Sequence, residues 1–156
     1  MRSRLVEIAL LAAAAAVVVG VLLRPHGPRA VVRASWTATP GVLNAAVTEA
    51  TLRATICRSG WTRTIRPPVN YTNDLKRRQL RAFRLRGPPS AYQEDHLISL
   101  ELGGSPTDPR NLWPEPYPRA SQVDQLENDL NHRVCAGSLT LDQAQRAESA
   151  LKHRDG

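Results

Sequence analysis

The chain has 156 residues, a formal charge of +7, 42% hydrophobic and 22% charged residues, and two cysteines. That is enough chain for one modest domain, and without a C-x-x-C pair a zinc site made of these cysteines alone is not expected. Five arginines and one glutamate among the first 34 residues carry +4 of the charge, so the remainder holds only +3 and its basicity is local.

Behind the basic start "MRSR" stands "IALLAAAAAVVVGVLL", Ile8 to Leu23, an apolar run with no polar face. It reads as a membrane-targeting segment. Residues 1–24 are expected to form an uncleaved signal anchor helix, with a cleaved signal peptide as the alternative, since the nearest small-residue pattern, "VRA" before Ser35, lies well past the run. Arginines flank it on both sides and give no orientation. Residues 25–40, rich in Pro, Gly, Ala and Arg, read as a linker, and 41–156 as the folded domain.

Within that domain, Thr48 to Ile56 suggests a short helix leading to Cys57, and the alternation in "WTRTIRPP" suggests a short strand stopped by Pro67 and Pro68. The next helix is expected to take Thr72 or Asn73 as N-cap and to stop at Gly87. On it Arg77, Arg81 and Arg84 share one face, which can follow a phosphate backbone or simply be solvated surface. Cys57 and Cys135 form the only cysteine pair. In exported material they would make a disulfide; the other arrangement is two separate buried thiols.

Glu94 to Pro116, "EDHLISLELGGSPTDPRNLWPEP", reads as strand, glycine-rich corner and strand. A helix from about Ser121 to Val134 follows, with Val123, Leu126, Leu130 and Val134 as its apolar stripe. Thr140 and Gln143 then make a capping box for the last helix. Asp95 offers a hard oxygen to a divalent ion and His96 a base that is mostly neutral near pH 7. Asn111, returned across Gly103 and Gly104, is placed to brace the intervening loop so that a backbone carbonyl fixes the imidazole tautomer. Trp61 and Trp113 are expected in the core, His132 and His153 on the surface, and His26 in the linker.

"EDHLISLELGG", then "NLWPEP", then a polar-apolar helix resembles the HNH endonucleases, whose fold is the ββα-metal or His-Me finger. The wider stretch from Cys57 onward is similar to a subgroup of small exported HNH-like proteins. The resemblance implies an α+β domain with a ββα-metal core at about 93–134 and flanking helices. It makes Asp95 a metal ligand, His96 the general base and Asn111 the bracing asparagine. Two positions depart from the pattern: Ser99 stands where proline is usual, and the first turn of the helix lacks the His or Asn that supplies another ligand. Asp124 is the expected substitute, ahead of Glu127 and Asn128. The implied function is metal-dependent phosphodiester hydrolysis with weak sequence specificity, using Mg²⁺ or alternatively Mn²⁺, Ni²⁺ or Zn²⁺, and no small-molecule cofactor. The implied partners are nucleic acid, DNA ahead of RNA, and a membrane through the N-terminal segment. The domain would face outside the cytoplasm, anchored, or secreted if the segment is cleaved. The alternative is a non-catalytic exported scaffold or nucleic-acid-binding domain.

Overall fold

Prolines and glycines set the frame, because each closes one element before the next begins. A computed structural model describes residues 32–117 and 119–154. The anchor expected over 1–24 and His26 lie outside the described residues, among which no helix is long and apolar enough to cross a membrane. The elements are α1 (Trp61–Ile65), α2 (Val69–Ala82), β1 (Tyr92–His96), β2 (Leu112–Pro116), α3 (Arg119–Cys135) and α4 (Leu141–Arg154). The fold of the described residues is α+β, with four helices around one antiparallel pair of strands.

Four local expectations are corrected. The segment read as a strand from Trp61 is the short helix α1, and Thr48 to Ile56 holds only a 3₁₀ turn at Leu52–Ala54. Trp61 and Ile65 fall on one side of either a strand or a single helical turn, so five residues cannot separate the two periods. Helix α2 begins at Val69, directly after Pro68, three residues before the expected cap. Proline's fixed φ suits a helix entry, and Thr72 is left inside the helix with its hydroxyl on the Val69 carbonyl. The same helix ends at Ala82 rather than Gly87, because Arg84 takes a left-handed conformation at φ 54° and Leu85 N–H closes onto the Leu80 carbonyl at 2.9 Å.

The core gathers Ile56, Trp61, Ile98, Leu102, Leu130, Val134, Leu141 and Ala144. Of the expected stripe of α3, Leu130 and Val134 pack here with Leu126 half-buried at the margin, and Val123 is buried outside this cluster. A second, smaller cluster joins Ala34, Leu97 and Trp113. Ala34 to Thr39, placed with the linker by composition, thus belong to the fold; Ala34 N–H donates to the Lys152 carbonyl at 3.2 Å. His153 is a further correction, being buried, stacked on Trp36 with ring centroids 3.6 Å apart and bonded through Nε2 to the Thr39 carbonyl. His132 is exposed.

Cys57, beyond the 3₁₀ turn, is joined to Cys135 at the end of α3 by a disulfide, Cα to Cα 5.5 Å. The capping box closes as expected. Thr140 N–H donates to Gln143 Oε1 at 3.1 Å, and Gln143 N–H to Thr140 Oγ1 at 3.2 Å. Gln79 of α2 donates to the Leu112 carbonyl at 2.8 Å, which fixes the basic helix against the strand pair.

Candidate active site

Register positions the first groups. β1 runs antiparallel to β2 with Asp95 opposite Trp113, His96 opposite Leu112 and Gln93 opposite Glu115. Pleating then places Gln93, Asp95, Trp113 and Glu115 on one face and His96 on the other. His96 is the last residue of β1 and is held from the loop: its Nε2 lies 3.1 Å from the Pro106 carbonyl. The carbonyl can only accept, so Nε2 carries the proton and Nδ1 the lone pair.

That loop is shaped by Asn111, which is fully buried. Its Oδ1 accepts from Ile98 N–H at 3.0 Å, and its Nδ2 donates to the Ile98 carbonyl at 3.0 Å and the Ser105 carbonyl at 2.9 Å. Three bonds from one side chain close the corner. Gly104 is required for the same closure, since a Cβ there would stand 1.8 Å from the Ile98 oxygen and 2.6 Å from Asn111 Nδ2. His96 and Asn111 thus meet around one loop, while the Asp95 side chain lies on the other face of the strand pair.

On the opposite face the structure adds residues that the sequence did not single out. Lys152, in the last turn of α4, is fully buried, and its Nζ lies 2.7 Å from Glu127 Oε1, 3.0 Å from Asp95 Oδ2 and 3.2 Å from Glu148 Oε1. It also donates to the His96 carbonyl, so three N–H groups serve four oxygens. Glu148, also fully buried, accepts from Ser99 N–H through both oxygens at 3.0 Å. Glu115 is fully buried beside Asp95, yet neither of its oxygens meets an N–H or hydroxyl donor. A detectable signal existed in the sequence: Leu141, Ala144, Glu148 and Lys152 follow the buried stripe of α4, where two charges interrupt an apolar face.

Of the helix acids, Glu127 is the one that reaches the cluster directly, through Lys152. Asp124, placed ahead of it by helix geometry, is half-buried, its pKa raised by burial and by the nearby Asp95 charge, while Asn128 is exposed with its amide on the Asp124 carbonyl. Among the described residues no three His, Cys, Asp or Glu side chains are arranged to hold a metal ion; the carboxylates of Asp95, Glu127 and Glu148 converge on the Lys152 ammonium.

Charge follows the geometry. Burial alone would raise Asp95, but the Lys152 charge, with hydrogen bonds from Glu115 and Lys152, pulls it down to about 2. Burial and the shared hydrogen bond with Asp95 push Glu115 up to about 9, so it carries the proton between them. Burial also raises Glu127 and Glu148 against the pull of Lys152. His96 is lowered, chiefly by burial, and Asp95 only partly offsets this, which leaves the imidazole neutral at neutral pH. The exposed Arg66 lies near enough for its charge to act on His96, Glu101 and Asp124.

Arg77 and Arg81 stand on α2 and Arg84 just beyond it, and all three line one open surface groove of about 400 Å³ with Leu80 and Leu85 between them. Arg77 is paired with Asp74. No family model matches this chain, and neither curated proteins nor solved structures give a match.

Proposed function

We propose that the domain hydrolyses phosphodiester bonds in nucleic acid, in the manner of the HNH endonucleases that residues 93–134 resemble. One observation carries this reading: His96 is neutral, held by the Pro106 carbonyl through Nε2, and so presents Nδ1 as a base. Nδ1 takes a proton from water as its oxygen attacks phosphorus, the bond from phosphorus to the leaving ester oxygen breaks and that oxygen takes a proton from solvent, and the loop braced by Asn111 keeps the ring in orientation. Arg66 at the site and the Arg77, Arg81 and Arg84 groove supply positive charge for the phosphates, with no base-reading element. DNA is the favoured substrate over RNA.

A divalent ion, Mg²⁺ or else Mn²⁺, Ni²⁺ or Zn²⁺, fits the donor chemistry. Asp95, Glu127 and Asp124 are hard oxygen donors, and Glu115 is a buried carboxyl without a donor of its own. Asp95 with Glu127 or Asp124 would hold the ion, which supplies charge stabilisation at the phosphate and the leaving oxygen. The Cys57–Cys135 disulfide is compatible with a domain working outside the cytoplasm, anchored or secreted through residues 1–24.

The second reading is a non-catalytic scaffold, favoured by the hold of Lys152 on the carboxylate of Asp95. Incubation of the full-length protein with supercoiled plasmid and structured RNA, under Mg²⁺, Mn²⁺ or chelator, decides between them. Nicking that requires metal is expected, and His96→Ala should slow it by about 10²- to 10⁴-fold, the usual cost of losing a general base. Wild-type protein that cuts no faster than His96→Ala in any metal leaves the scaffold.

A further inference from the structure

We propose that Lys152 is a tethered cation that competes with the divalent ion for Asp95 and Glu127, so that the site loads only when the ammonium leaves. This rests on the reading above in one respect, that a divalent ion belongs at Asp95.

Three observations carry it. The ammonium lies 2.7 to 3.2 Å from oxygens of Glu127, Asp95 and Glu148, contributed by α3, β1 and α4, which is how protein oxygens surround a bound cation. Those distances suit N–H donation, whereas carboxylates ligate Mg²⁺ at about 2.0–2.1 Å, so the same oxygens cannot serve both cations at once. Acid also outnumbers base: Asp95, Glu115, Glu127 and Glu148 surround one lysine, and Glu115 is fully buried with neither oxygen receiving a donor. A single ammonium balances one carboxylate, so the remaining acids must hold protons while it stays, whereas a divalent ion would balance two.

The position of the lysine makes exchange physically reasonable. It sits in the last turn of α4, on a stem with four rotatable bonds, and helix ends open at lower cost than helix centres. Loading would therefore release Lys152 and loosen the end of α4. The chain contains 2 lysines, Lys76 and Lys152, so the released amine can be followed chemically against an internal reference.

The first measurement is Mn²⁺ affinity by calorimetry on full-length protein, comparing wild type with Lys152→Met and with Glu148→Gln/Lys152→Met. The double variant removes the ammonium together with one charge it compensates, while the amide oxygen of the new glutamine keeps an acceptor for Ser99 N–H. With folding verified by circular dichroism, removal of the nearby positive charge should tighten Mn²⁺ binding at least about tenfold. Unchanged or weaker binding by a folded variant overturns the proposal.

The second measurement needs no variant. Lys152 acetylation in wild-type protein, read by mass spectrometry, should rise through a Mn²⁺ titration relative to Lys76, and a flat ratio through the whole titration overturns the proposal. Tighter Mn²⁺ binding without any cleavage keeps this inference and removes the nuclease reading. Metal-dependent cleavage with Mn²⁺ affinity indifferent to Lys152 does the reverse.

Discussion

Asn111 concentrates more structure into one side chain than any other residue of the corner. It satisfies an N–H and two carbonyls that are otherwise enclosed, and it does so from the residue preceding β2. Asn111→Ala would strand those groups and should destabilise the domain by about 2–4 kcal/mol, as expected when buried partners lose their hydrogen bonds. Urea denaturation measures this directly, and a loss below about 1 kcal/mol would mean that water replaces the amide without cost. His96 differs in kind. Its single loop bond orients the ring, so its removal is expected to affect chemistry well before stability.

At the scale of elements, α2 and the corner do separate work. The corner orients the His96 imidazole, whereas α2, pinned through Gln79 to β2, presents Arg77 and Arg81 with Arg84 continuing the line past the helix end. The left-handed turn at Arg84 moves it off the helix, yet the three still border one groove, so helical spacing and final placement agree for different reasons. Replacing all three with glutamine should weaken nucleic-acid binding and flatten its dependence on salt. On duplex DNA, every phosphate that is no longer neutralised lowers the slope of log affinity against log salt by about 0.9. Fluorescence anisotropy across a salt series reads that slope, and an unchanged value would identify the stripe as ordinary solvated surface.

Two features act on the whole molecule. The disulfide links residues 78 apart, and the double variant Cys57→Ser/Cys135→Ser should lose about 4 kcal/mol of stability in the chain-entropy account. Alkylation before and after reduction, read as intact mass, checks that wild-type protein carries the bridge. The second feature is the store of buried acids. Glu115 is pushed up to about 9 and Glu94 to about 8, both chiefly by burial, while the unfolded chain ionises them near 4.5. Between these values the folded state holds protons that the unfolded state releases, so stability is fully present below about pH 4.5 and falls as pH rises toward 9. Asp95 works in the opposite sense, its contribution being lost only as pH falls through about 2. Thermal melts from pH 5 to 9 should therefore show a declining midpoint, and Glu115→Gln should make the decline shallower; an equally steep decline would place its cause elsewhere.

Much of this was legible in sequence because it is written in local chemistry. Punctuation by proline and glycine, the capping box at Thr140 and Gln143, the apolar stripe of α3 and the strand-corner-strand around Asp95, His96 and Asn111 each depend on residues within about one element's length. The α+β class was what the family resemblance implied, and the Cys57–Cys135 bridge was expected only for exported material, with two separate thiols as the alternative that the structure removes. The short helix α1 was not legible, because five residues carry both periodicities equally and only packing selects one. Nor was the burial of His153, which depends on Trp36 and Thr39 folding back from more than 100 residues away. The same limit governed the site. Asp95 and His96 announce themselves as neighbours, but the cation beside Asp95 comes from α4, 57 residues later, and the helix acid that meets it is Glu127. Sequence alone determined which local groups could carry chemistry; the tertiary structure decided which charges share a low-dielectric interior, since burial and distance set their energies and neither is a property of one segment.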